Sequence, residues 1–243
     1  MSAARLARYS LWQFRDFIME RGIAIAIIGL LWGYTLIEPL RRAMGAAFAV
    51  GPASPTWPLV VSVTSSVVSL GVLIALNGMV STDRKQGYYR FLFSKPVSAV
   101  GYYVQLFFVY MIGMLLIMLL LAGLLHTVVP TFKIFNFLLY AAIIYVGMGG
   151  IGFFVSVATR FDWLTLAAVW FGSRILRGIY GPRPGWKSKA VELLPPVHKL
   201  DEVSLSMITY GTAHTSDVLW LLGYGALFFA LGLLILRRGS LAD

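Results

Sequence analysis

Long apolar stretches separated by short polar ones set the pattern of this chain. Runs at 22–39, 59–80, 101–125, 136–158, 163–180 and 217–236 carry almost no charge. Each is close to or above the ~20 residues that a helix needs to cross the hydrocarbon core of a bilayer. The pattern therefore predicts an all-α fold, a polytopic membrane protein with one transmembrane domain over residues 1–243. Ahead of the first run, residues 4–20 mix apolar and basic positions. Leu11, Phe14 and Ile18 fall on one helical face, while Arg8, Arg15 and Asp16 lie elsewhere. This spacing predicts an N-terminal helix lying in the membrane interface, and its basic residues favour the cytoplasmic side.

The polar breaks read as loops. Residues 45–58 contain Gly51, Pro52, Pro55 and Pro58, which punctuate the chain. Residues 181–216 hold Pro182, Pro184, Pro195 and Pro196, with an amphipathic helix expected near 198–209. The stretch 163–180 decides the span count. It is uninterrupted only to Gly172, after which come Arg174 and Arg177. If it crosses, these arginines snorkel to the far interface. With six spans the basic residues divide almost evenly between the two sides. With five they fall mostly on one side, which the positive-inside rule favours.

Composition supports the membrane reading. Hydrophobic residues make up 59% of the 243 and charged residues 12%, about half the charged share of a soluble domain. The net charge is +10, a surplus expected beside anionic headgroups and membrane lipids. Nucleic acid is not an expected partner, because no basic run reaches five residues. The chain has no cysteine, which excludes disulfides, thiolate metal sites and cysteine nucleophiles. Its first residues lack the short apolar core of a cleavable signal peptide.

Candidate chemistry is sparse. The middles of most spans contain no ionisable residue, so a proton-driven mechanism is not expected. His126, His198 and His214 do not show metal-ligand spacing, and no metal site or catalytic residue is predicted. Gly147, Gly149 and Gly152 match a dinucleotide fingerprint by spacing alone. They lie within an apolar helical run, where glycines let helices approach. The run Gly181 to Ser188 departs from a phosphate loop, since Trp186 precedes Lys187 and two prolines remove backbone donors. The second run is rich in hydroxyls, with Ser62, Ser65, Ser66 and Ser69, and with Asn77 near its end. These groups can line a pathway. They can equally bond their own backbone or a neighbouring helix.

The segment 81–100 carries the strongest non-membrane signal. Gly87 turns the chain, and Tyr88 to Ser94 can form about two helical turns. Lys95-Pro96 then ends that helix, because the residue before a proline avoids helical geometry. Tyr88, Tyr89, Phe91 and Phe93 suit a groove on a soluble partner, with Arg84, Lys85 and Arg90 meeting an acidic rim. An interfacial aromatic belt with basic anchors fits the same residues.

In the order of these features the chain resembles a permease subunit of the ABC-2 family of ATP-binding-cassette transporters. The resemblance rests on the N-terminal helix at 4–20 and on Asp83, Arg84 and Gly87 after the second span. It rests further on Pro96, on the aromatic start of the third span at Tyr102 and Tyr103, and on the basic tail at Arg237 and Arg238. It implies six membrane-spanning helices with both termini cytoplasmic, in a bacterial inner membrane. It implies a second permease subunit and a separate ATPase that holds ATP and Mg, with no cofactor on this chain. Residues 86–94 would be the coupling helix and 181–216 an extracytoplasmic loop. The implied activity is export of a lipid-like, amphipathic or polymeric substrate. A membrane scaffold or assembly subunit without transport is the alternative expectation.

Overall fold

The computed structural model describes residues 3–45, 51–54, 56–85, 98–159, 172, 175–181, 185–192 and 199–238. Among them every regular element is helical. They are α1 (Ala3–Phe17), a π-helical turn (Ile18–Gly22), α2 (Ile23–Gly45), α3 (Trp57–Leu76), α4 (Ser81–Lys85), α5 (Ala99–Val128), α6 (Ile134–Ala158), α7 (Trp186–Glu192), α8 (Lys199–Tyr210) and α9 (Thr215–Arg238), with a further helical stretch at 175–180. Five helical stretches are long and apolar enough to cross a membrane: Arg8–Leu36, Trp57–Asp83, Ala99–Val128, Ile134–Ala158 and Thr215–Arg238.

Four of these follow the apolar runs closely. Local chemistry sets several ends. Pro58 lies in the first turn of α3, where its missing N–H costs nothing. Ser98 caps α5, its Oγ accepting from the Gly101 N–H at 3.2 Å. Arg237 and Arg238 sit in the last turn of α9, at the negative end of its dipole.

The N-terminal region is less broken than the sequence suggests. The change of composition at Glu20-Arg21-Gly22 reads as a boundary between an interfacial helix and a span. Instead α1 passes through the π-helical turn into α2 without leaving helical geometry. No proline stands there to stop the helix, and one wide turn absorbs the register change. Gly22 is kept small by Ile117, whose Cδ1 would lie 3.0 Å from a Cβ at that position.

Contacts fix the direction of each helix. Ser10 meets Gln105, Phe17 meets Tyr110, and Gly22 meets Ile117, so α1 and α2 run parallel to α5. Arg21 reaches Ala75, so α3 runs the other way. The Tyr145 hydroxyl donates to the Phe107 carbonyl, and Phe132 packs on Phe137, so α6 is antiparallel to α5. Gly147 lies against Leu221, Gly150 against Gly225, and Phe153 against Gly232. Thus α9 runs parallel to α6. α6 is the most buried of the five and forms the centre of the bundle. Its core includes Tyr140, Tyr145 and Phe153.

At the end where α3 and α9 begin, α8 closes the bundle. The Trp57 Nε1 donates to Thr209 Oγ1 at 2.8 Å, and Lys199 is ion-paired with Asp217. The outward faces of α2 (Ile23, Ile27, Leu30) and α9 (Leu227, Leu231, Leu234) are exposed and apolar. Such surface is stable only in an apolar medium or against a partner. The chain is an integral membrane protein of polytopic α-helical architecture.

Candidate functional site

The polar contacts gather at the end of the bundle where α3 stops and α5 starts. α3 ends at Asn77, whose φ of −58° and ψ of 121° leave helical geometry. Gly78 follows at φ 71°, a left-handed conformation that glycine adopts without strain. The backbone then enters α4. The N–H groups of Val80 and Ser81 donate to Ser156 Oγ of α6 at 2.9 and 3.4 Å. Two buried donors outside a helix ladder thereby find a partner.

Beyond this point Asp83 and Tyr103 bracket the segment. The Tyr103 hydroxyl donates to Asp83 Oδ2 at 3.1 Å. One residue ends the α3–α4 side and the other begins the α5 side, so the chain between them is closed at its base. The N-terminal helix joins the same cluster. Gln105 Nε2 donates to Ser10 Oγ at 2.8 Å. Arg21 Nη1 donates to the Ala75 carbonyl at 2.5 Å, and its guanidinium lies 4.8 Å from the Tyr110 ring centre. Gln13 is buried on α1, beside Tyr102 of α5.

Of the residues that the sequence assigns to coupling, Arg84 and Lys85 have their backbone in α4; their side chains lie outside the described residues. Gly87, Tyr88, Tyr89, Arg90, Phe91 and Phe93 also lie outside them, as does the expected helix over 86–94. In the expected fifth span, residues 175–180 are helical, whereas 163–171, 173 and 174 are outside.

The hydroxyl stripe of α3 is graded rather than uniform. Ser65 is buried and exchanges a hydrogen bond with the Tyr140 hydroxyl of α6 at 2.9 Å. Ser66 donates to the Ser62 carbonyl at 2.8 Å, within its own helix. Ser62 is exposed and Ser69 half-buried. Asn77 is exposed at the helix end. The structure thus uses Ser65 for helix–helix bonding and turns Ser62 outward.

Sequence reasoning did not single out Ser10, Gln13, Arg21, Gln105 or Ser156. The signal available was faint: isolated polar residues near the ends of apolar runs. His126, by contrast, has an ordinary role, with Nδ1 at 2.9 Å from the Phe132 carbonyl. Compared with known proteins, the chain matches no family profile, and no curated protein matches its sequence. The class that the fold defines is a membrane-embedded helical bundle with a polar cluster at one end.

Proposed function

We propose that the chain is the permease subunit of an ATP-driven exporter of the ABC-2 kind, energised by an ATPase on a separate chain. The observation that carries this reading is the clamp at the base of the 84–102 segment. Asp83 and Tyr103 bond to each other, while Ser156 and Arg21 tie the same end to α6 and to the N-terminal helix. A partner pushing on that segment therefore acts on α3, α5, α6 and α1 together. Packed cores respond to such a push by switching between discrete arrangements.

Chain direction supports six spans over five. α6 and α9 run parallel, so α6 ends at the clamped end and α9 starts at the opposite one. Ala158 and Thr215, which flank the connection 159–214, therefore lie at opposite ends of the bundle, as they would on either side of a fifth of six spans. Ser10 beside Gln105, and Arg238 beside Phe154, bring the two terminal helices to the clamped end. On this reading that end, and with it both termini, faces the cytoplasm. The start of α1, with Arg8 and Trp12 exposed, sits at the headgroup level of that face. A second permease subunit covers the remaining apolar faces, and the substrate is lipid-like, amphipathic or polymeric.

Replacing Tyr89 and Phe91 with alanine is expected to abolish recovery of a stoichiometric ATPase in mild detergent. Buried aromatic anchors typically carry ~2 kcal/mol or more each, so the pair accounts for a loss of a hundredfold or more. The permease itself is expected to elute unchanged. ATPase recovery equal to wild type would sink the coupling assignment, and isolation of the wild-type chain without any ATPase favours the scaffold.

The absence of cysteine makes pathway mapping direct. Ser62→Cys and Ser69→Cys are expected to react with a membrane-impermeant maleimide in vesicles containing the ATPase, and Ser65→Cys to stay unlabelled. No labelling at either Ser62→Cys or Ser69→Cys would remove α3 from the pathway.

A further inference from the structure

The bundle contains a cavity of about 420 Å³ between α2, α3, α5 and the start of α6, in the half away from the Asp83–Tyr103 clamp. Its shape comes from two glycines. At Gly29 the helices touch, because a Cβ there would collide with the Leu121 side chain. One turn later, at Gly33, a Cβ would meet nothing within 4 Å. Thus α2 and α5 are in contact at Gly29 and stand apart at Gly33. The mouth of the cleft lies beside the exposed side chains of Leu30, Tyr34 and Leu124.

The wall offers little to a polar ligand. Its two threonine hydroxyls are turned into their own helices: Thr64 donates to the Val60 and Val61 carbonyls, and Thr127 to the Leu124 carbonyl. The remaining hydroxyl, that of Tyr34, belongs to an exposed side chain at the mouth. The rest is dominated by aliphatic and aromatic carbon, including Val63, Val67 and Phe137. An apolar cavity of ~150 Å³ already stays dry and takes up benzene. This one is nearly three times larger, and its mouth is flanked by the exposed apolar side chains of Leu30 and Leu124. Left empty, its lining would forfeit dispersion contacts on one side.

We propose that this cavity is a binding site for one acyl chain of a bilayer phospholipid, inserted from the side between α2 and α5. The site does not depend on the transporter reading. It is a lipid site whether or not an ATPase binds.

The test reconstitutes the full chain in vesicles of phosphatidylethanolamine and phosphatidylglycerol with a trace of phosphatidylcholine bearing a mid-chain diazirine. After irradiation, labelled residues are mapped by mass spectrometry. Val63 and Val67 are buried, so label there reports the cavity rather than the outer surface. Label on Leu227 to Ile235 of α9 is the surface reference. Wild type is expected to label Val63 and Val67 above Ile143, which is buried to the same degree, and above the fully buried Ile144. Gly33→Leu, whose Cβ would meet nothing within 4 Å and whose longer side chain is meant to occupy the cleft, is expected to lower that label about tenfold with the α9 reference unchanged. Gly123→Leu is the matched control, since a Cβ there also meets nothing and Gly123 is not on the cavity wall; it is expected to label as wild type. The proposal is overturned by Val63 and Val67 label no higher than Ile143 and Ile144, by label that persists in Gly33→Leu, or by an equal fall in Gly123→Leu. Label that appears only when a second amphiphile is added, or crosslinks from the cavity to a second copy of the chain, also overturns it.

Discussion

Gly150→Leu is expected to prevent recovery of a folded, monodisperse protein. The α6–α9 contact is made backbone to backbone. A Cβ on Gly150 would run into the Gly225 carbonyl, and one on Gly225 into the Val146 carbonyl and Gly147. No flexible side chain stands in the way to yield, so the helices themselves must separate. Separation uncouples the neighbouring contacts of Gly147 with Leu221 and Gly232 with Phe153. In a membrane, apolar side chains gain little by leaving lipid, so association rests on close packing of this kind. The cost is expected to exceed the ~1–3 kcal/mol of ordinary overpacking. At ~2–4 °C per kcal/mol, any folded remainder should melt about 10 °C or more below wild type. Gly223→Leu, two residues from Gly225 but facing open space, is the control and should behave as wild type. Fluorescence-detected size exclusion and a thermal melt decide the matter, and a Gly150→Leu melt within a few degrees of wild type would refute the packing account.

That packing was partly legible in the chain. Gly147, Gly149 and Gly152 stand out as small residues in an apolar run. What the run could not say is that Gly150 makes the tightest approach to α9, while Gly149 faces Phe107 of α5 on the other side. Span positions were readable because burial in a bilayer acts on each run separately. Residues 59–80, 101–125, 136–158 and 217–236 each coincide with a helix to within a few residues. The boundary expected between 4–20 and 22–39 is instead continuous helix through Arg21. Its tertiary partners, Ala75 and Tyr110, are 54 and 89 positions away and invisible to local pattern. The candidate site shows the same division. Composition singles out 81–100 as a polar break with aromatic and basic residues. The clamp beneath it depends on Tyr103 with Asp83 and Ser156 with Val80, pairs set by helix packing.

Arg21→Met is expected to loosen that clamp. The last carbonyls of α3 have no partner within the helix. Those of Leu73 and Ile74 accept from the Asn77 N–H, and that of Leu76 accepts from the Met79 N–H. Ala75 is fully buried, and its carbonyl accepts from Arg21. A hydrogen bond from a charged group contributes ~1.5–3 kcal/mol, and a guanidinium over an aromatic ring adds ~0.5–2 kcal/mol. Against this stands relief of the arginine's own desolvation. Arg21 is only half-buried, so that relief is small and the loss wins. A net destabilisation of about 2–3 kcal/mol follows, read as a fall of roughly 5–10 °C in melting temperature. The loss should be local before it is global. Freed from Arg21, the end of α3 frays, and the chain after Asp83 should be cut faster by a protease at Arg84, Lys85 or Arg90. Tyr110→Leu removes the ring beneath the guanidinium. Combined with Arg21→Met it should cost less than the sum of the two single changes, because both act on one contact. Additive effects, or proteolysis at wild-type rate in Arg21→Met, would show that Arg21 does not hold the end of α3.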